Sequence, residues 1–140
     1  MAAKWLRLVV GAFPHSRGSR YGVAVVASDG ATVRNWGGWQ TEGDAPAAAI
    51  RAVLEGLWVA RSFGRRVRVC VHPPEVASWL GRRAPVPPQH LGYFVQVRAL
   101  SHTYRQVEFL PAGSAEVELA RQAAGQGGPV PSGALELVPR

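Results

Sequence analysis

The sequence predicts an α/β domain built on a mixed five-stranded sheet flanked by helices, with elements in the order βββ-α-β-α-α-β-α. Three observations predict it. β-Branched runs between residues 6 and 40 follow one another with short polar breaks, the pattern of an antiparallel meander. An alanine-rich stripe at helical spacing then interrupts the strands, and beyond it strands and helices alternate, which calls for crossover connections. Finally, 140 residues with 47% apolar content suit one domain with a substantial core, placed at residues 1–124, ahead of a Gly/Pro-rich tail at 125–140.

The first strand is read over Leu6–Phe13, apolar on both faces at its centre, as a middle strand covered on both sides would be. Pro14–Arg20 reads as a polar, basic loop and Tyr21–Ser28 as the second strand. Asp29-Gly30 supplies a hairpin turn, and Ala31–Gln40 a third strand whose Gly37-Gly38 pair suggests a bulge or bend near an edge. Asp44 is placed to cap a helix with Pro46 in its first turn. Over Ala47–Arg61, Ile50, Val53, Leu54, Leu57 and Trp58 form its apolar stripe. Arg65–His72 alternates as a fourth strand, with Val67, Val69 and Val71 on one face. Pro73-Pro74 open a short helix through Val76 and Leu80, and Arg82–Gln89 is irregular and proline-rich. Leu91–Ser101 fits strand or helix; the 91/94/97/100 spacing selects helix. Tyr104–Leu110 is the last strand, and a helix from Ala115 to about Ala124 has Ser114 as its expected N-cap.

Charge and cysteine content bound the function. Net charge is +7, from 16 basic and 9 acidic residues; all the basic residues but Lys4 are arginine, and Asp29 and Asp44 are the only aspartates. Such a field attracts polyanions, although arginine-rich composition can also reflect coding bias. The lone cysteine, Cys70, excludes an intrachain disulfide or a multi-cysteine metal site and reads as a buried core thiol. No apolar run reaches the roughly 20 residues of a membrane helix, nor does the start resemble a signal peptide, so a cytoplasmic location without membrane contact is expected.

Beyond element order, the Tyr21-Gly22 strand start after a short glycine loop, the string Ala49-Ile50-Arg51-Ala52-Val53-Leu54-Glu55-Gly56-Leu57 and the closing Glu118-Leu119-Ala120-Arg121 resemble the ribonuclease H family from about Leu6 to Ala124. The resemblance implies four carboxylates holding two divalent cations, Mg or Mn, at a phosphodiester. Here the matching positions fall on Gly11, Pro46 (or Ala47), His72 and Val117. A register slip brings Glu42 or Asp44 to the second position and Glu116 or Glu118 to the last, but Leu6–Ser19 contains no carboxylate to supply the first. No catalytic residue and no metal ligand is therefore assigned.

The expected function is a catalytically inactive, ribonuclease H-like domain that binds DNA, RNA or an RNA/DNA hybrid without a cofactor. Its candidate phosphate contacts are Arg17, Arg20, Arg65, Arg66, Arg82 and Arg83, all of which also read as ordinary surface charges. In the resembled fold the segment after the second helix carries basic contacts to a duplex, and Arg82-Arg83 fall there. Trp36 and Trp39, with Tyr21, are candidates for base stacking or for a protein or homo-oligomer surface; sheet packing is the alternative. A self-assembly or protein-interaction module is the second reading. A third is a divergent metal-dependent nuclease rebuilt around His72 with His15, Asp44 and Glu116.

Overall fold

In the computed structural model, which describes residues 4–41, 43–126 and 129, the strands are β1 (Leu6–His15), β2 (Gly18–Val26), β3 (Thr32–Gln40), β4 (Arg66–His72) and β5 (Gln106–Pro111). The helices are α1 (Ala45–Ala60), α2 (Pro74–Leu80), α3 (Leu91–Ser101) and α4 (Ser114–Gln126), with a 3₁₀ turn at Pro88–His90 before α3. The sheet order is β3-β2-β1-β4-β5: β1, β2 and β3 pair antiparallel, while β1–β4 and β4–β5 pair parallel. The expected element order and mixed sheet are both present. No described helix is long and apolar enough to cross a membrane.

Strand alternation divides the core in two. Leu6, Leu8, Val10, Val23, Val25, Val67, Val69 and Val71 point to the side covered by α1, α2 and α3. Val9, Phe13, Ala24 and Val26 point to the other side, where they meet Ala120 of α4. Because β1 is apolar on both faces it takes the centre of the sheet, and that fixes everything beside it. Asp44 caps α1 by accepting from the Ala47 N–H at 2.9 Å, with Pro46 in the first turn where a missing N–H costs little.

Several expected boundaries shift. The Pro14–Arg20 loop is a continuation of both strands into a tight turn at Ser16-Arg17, with His15 opposite Gly18. Ladder pairing continues past the last buried side chain because backbone groups need partners even where side chains do not. Gly18, at φ +145°, sits where few other residues would. No bulge forms at Gly37-Gly38; the register shift is at Val25/Val26. The glycines instead make room for neighbours. A Cβ on Gly38 would strike the Tyr21 ring, and one on Gly37 would come within 2.5 Å of the Ala123 carbonyl oxygen. Ser114 lies inside α4; the Gly113 carbonyl accepts the first helical bond from Val117, and Glu116 accepts from the Gly113 N–H at 2.8 Å, the glutamate half of a capping box. α4 runs to Gln126, past the expected limit, and apart from Pro129 the rest of the tail lies outside the described residues.

Candidate nucleic-acid interface at the hairpin end

Gly11, Gly22, Gly37 and His72 form one row across four strands, since Gly11 pairs with both His72 and Gly22, and Gly22 with Gly37. α4 crosses this row almost on the sheet backbone. A Cβ at Gly11 would lie 2.8 Å from the Ala120 Cβ, and one at Gly22 would lie 2.6 Å from the Ala124 nitrogen. The row thus has two roles: three glycines seat α4, and its open end is His72.

The next row on the same face toward the turn is Phe13, Arg20 and Trp39, again register partners. The Phe13 ring stacks on the His72 imidazole at 5.5 Å and 24°, and the Arg121 guanidinium of α4 lies over the Phe13 ring at 4.3 Å. Trp39, 41% exposed on the edge strand, is tilted against His15 at 5.6 Å. Arg17 occupies the turn itself, and neither Arg17 nor Arg20 makes an ion pair among the described residues. The surface is therefore cationic and aromatic, with a cation–π stack where Gly11 and His72 meet.

The residues at the four positions implied to hold metals do not fit a pair of hard divalent cations, which take oxygen ligands. Gly11 offers no side chain, and Val117 packs against the Phe13–Ala120 cluster. Pro46 and Ala47 belong to an apolar first turn of α1. The acids that a slip in register brings to these positions are engaged elsewhere. Glu116 pairs with Arg7 at 3.2 Å, Glu118 with Arg121 at 3.8 Å, and Asp44 caps α1 beside His90 at 3.8 Å; Glu42 lies outside the described residues. The set His72, His15, Asp44 and Glu116 is not brought together, because each sits in a different one of these contacts. No group of three or more potential ligands occurs among the described residues.

The other candidates separate. Trp36 is not a surface residue: it is 0% exposed, and its Nε1 donates to Glu55 Oε1 at 3.1 Å. Tyr21, also buried, donates to both Glu55 oxygens at 3.0 and 2.8 Å, and Arg51 Nε reaches Oε2 at 3.3 Å. Arg66 is held across the strands by Gln106 at 2.6 Å, while Arg65 donates to the Thr103 carbonyl at 3.5 Å. Arg83 donates to the Phe109 carbonyl at 2.8 Å, on the outer edge of β5. Arg65, Arg66, Arg82 and Arg83 thus gather around β5, away from Arg17 and Arg20.

Glu55 is the functional-looking group that sequence reasoning passed over. Burial pushes its carboxyl above the usual carboxylate range, against the lowering effect of Tyr21, Trp36 and Arg51. It ties α1 to β2 and β3 on the face opposite His72, so its role is to hold the edge strand bearing Trp39. One signal was available. α1 is apolar on nearly every face, which leaves Arg51 and Glu55, its only charged residues, no exposed side to share.

No protein-family model and no curated protein matches the chain. Solved structures do. The N-terminal ribonuclease H domain of a Mycobacterium tuberculosis protein, fused to maltose-binding protein, superposes with a TM-score of 0.79 at 18% identity, over 88% of this chain and 92% of that one. Ribonuclease H1 from the halophilic archaeon Halobacterium salinarum gives 0.75 at 17% identity, over 88% and 99%. LC11 ribonuclease H1 in complex with an RNA/DNA hybrid gives 0.72 at 14% identity, over 89% and 98%. The likeness is one of fold.

Proposed function

We propose that this chain, with its ribonuclease H fold, binds nucleic acid through the hairpin end and does not cleave it by two-metal hydrolysis. The observation that carries the reading is the Gly11–His72 junction. A His72–Phe13–Arg121 stack stands there, beside the exposed Trp39 and beside Arg17 and Arg20, which make no ion pair among the described residues. Arginines neutralise phosphates, and Trp39 with His15 offers ring faces to bases; the complex is non-covalent and needs no metal. Two structural neighbours, LC11 ribonuclease H1 and a foamy viral protease–reverse transcriptase, were solved with an RNA/DNA hybrid, which makes a nucleic acid the first ligand to try.

Fluorescence anisotropy with labelled single strands, a duplex and a hybrid tests this across a salt series. Binding should weaken steeply with salt, and the double variant Arg17→Ala/Arg20→Ala should reduce the log–log slope by about 1.4 to 1.8, some 0.7–0.9 per lost phosphate contact. Absence of binding at low salt overturns the reading. Cleavage that needs Mg²⁺ or Mn²⁺ and disappears in His72→Ala replaces it with the divergent nuclease.

A second reading rests on Trp39 alone, exposed on an edge strand that, among the described residues, pairs with β2 and no other strand. Such an edge can receive another chain. Light scattering on wild type and Trp39→Ala decides it: an oligomer lost in the variant supports self-assembly, and a monomer in both removes it.

A further inference from the structure

The two edges of the sheet are finished differently. β5 is a six-residue strand that ends in Pro111, which has no N–H, and its Phe109 carbonyl accepts from Arg83. Both features blunt an edge. β3 is a nine-residue strand without proline, and among the described residues it pairs with β2 and no other strand. Past the register shift, which leaves Val33 out of the ladder, it runs regularly over residues 34–40. Arg34, Asn35 and Trp39 are exposed, and Arg34 makes no ion pair or side-chain hydrogen bond among the described residues. Such an edge offers a row of N–H and C=O groups to any strand that reaches it.

α4 carries the chain to that edge. Ala120 lies against Gly11 of β1 and Gly22 of β2, and Ala123 and Ala124 lie against Gly37 of β3. The helix ends at Gln126, so the chain leaves the sheet at its open side. Residues 127–140 follow, and all but Pro129 lie outside the described residues. In sequence they are rich in glycine and proline as far as Gly133 and then change. Ala134-Leu135-Glu136-Leu137-Val138 is free of both, sets leucines at alternate positions, and is closed by Pro139. Residues 127–133 can span about 23 Å at roughly 3.3 Å each, against the roughly 10 Å that separate Gly37 from Arg34 along β3.

Charge and pleat select this tail as the occupant. Arg34 shares the α1 face of β3 with Trp36, while Asn35, Gly37 and Trp39 share the α4 face. Glu136 is the sole carboxylate side chain after Glu118, and set beside Arg34 it pairs with an unengaged guanidinium. The same register turns Leu135 and Leu137 to the α4 face, the side on which Ala123 and Ala124 pack. Leu-Glu-Leu reads alike in both directions, so the match holds for a parallel or an antiparallel strand. A second copy paired around the same position would set two Arg34 side chains against each other, on chains that each carry a net +7.

We propose that residues 134–138 of the same chain add to β3 as a sixth, outermost strand, with Glu136 beside Arg34. So short a strand is weak by itself, but the tether holds it near the edge at an effective concentration on the order of millimolar. The tail then guards the edge that bears Trp39, and another chain gains that edge only by displacing it.

Hydrogen–deuterium exchange of the full chain, read by mass spectrometry without nucleic acid, tests this apart from binding at the hairpin end. Glu136→Pro/Leu137→Pro removes two consecutive N–H groups, one of which faces β3 whatever the register. It should speed exchange over residues 34–39 about fivefold and leave β1 unchanged, which shows that the fold is intact. Glu136→Arg should speed β3 likewise, and Arg34→Glu added to it should restore the protection, which loss of an apolar contact alone would not allow. Protection should hold through roughly a hundredfold dilution, because the strand belongs to the same chain. Equal β3 exchange in wild type and both tail variants overturns the proposal, as does a charge swap that restores nothing. Protection that fades on dilution overturns it too and assigns the edge to a second copy.

Discussion

Gly22→Ala should damage this protein severely, although it adds a single methyl group. Gly22 sits under α4, and a Cβ there would lie 2.6 Å from the Ala124 nitrogen and 3.0 Å from the Ala120 carbonyl carbon, with the Ala120 carbonyl oxygen nearer still. Ordinary contact begins near 3.4 Å, so α4 must lift by about 0.8 Å merely to clear the nitrogen. The obstruction is helix backbone, which cannot swing aside as a side chain can. A gap of that size forfeits roughly a quarter to a half of each dispersion contact beneath the helix. It loosens Ala120, Ala123 and Val117 against Val9, Phe13 and Ala24. Overpacking costs about 1–3 kcal/mol, and with the backbone as the obstacle the upper end applies, about 3 kcal/mol. Urea denaturation followed by tryptophan fluorescence reads this as a midpoint lowered by roughly 1–2 M, given a slope near 2 kcal/mol/M. Gly92→Ala, in α3, is the control. Its Cβ meets nothing within 4 Å, and the substitution should raise stability by about 0.5–1 kcal/mol. A Gly22→Ala midpoint within 0.3 M of wild type would refute the argument that α4 rests on the glycine row.

Two further outcomes follow from buried groups. Glu55 has a folded-state pKa raised by burial, so the folded form holds its proton more tightly than the unfolded one; its stabilising contribution is whole below the unfolded value, about 4.5, and is lost as pH rises through the folded value. Glu55→Gln keeps a carbonyl acceptor for Tyr21 and Trp36, and its stability relative to wild type should increase from pH 5 to pH 8; a constant difference would show that Glu55 does not titrate as described. Glu116 moves in the opposite sense: burial opposes ionisation, but the Gly113 N–H, the Cys70 thiol and Arg7 together lower its carboxyl, so comparing variant with wild type isolates Glu55. Burial, together with the neighbouring Glu116 carboxylate, pushes the Cys70 thiol up to about 12, so the native protein should resist alkylation by iodoacetamide at pH 8 and react on unfolding; rapid native labelling would mean that the β4 face opens.

The glycine row shows where sequence reading reached its limit. Gly37-Gly38 was legible as unusual, but a bulge, a bend and a helix resting on the strand leave the same trace in sequence. What distinguishes them is the alignment of Gly11, Gly22 and Gly37 across three strands, which depends on register. The tryptophans divide in the same way. Trp36 and Trp39 are three residues apart on one strand, so they point to opposite faces. Which face α1 would cover, burying Trp36 against Glu55, depended on how the helix packs. The arginines likewise look alike in sequence, yet their side chains find different partners: a carbonyl for Arg83, a glutamine for Arg66, none among the described residues for Arg82.

The sequence by itself determined the order of elements, the sheet's mixed pairing and the absence of a carboxylate from the first strand. These follow from local periodicity and composition, which each segment carries wherever it ends up. The tertiary structure alone decided that Phe13 meets both His72 and Arg121, that Glu55 is sealed beneath the sheet, and that the cations fall into two separate zones. Those facts rest on contacts between residues distant in the chain, set by register and by which helix covers which face.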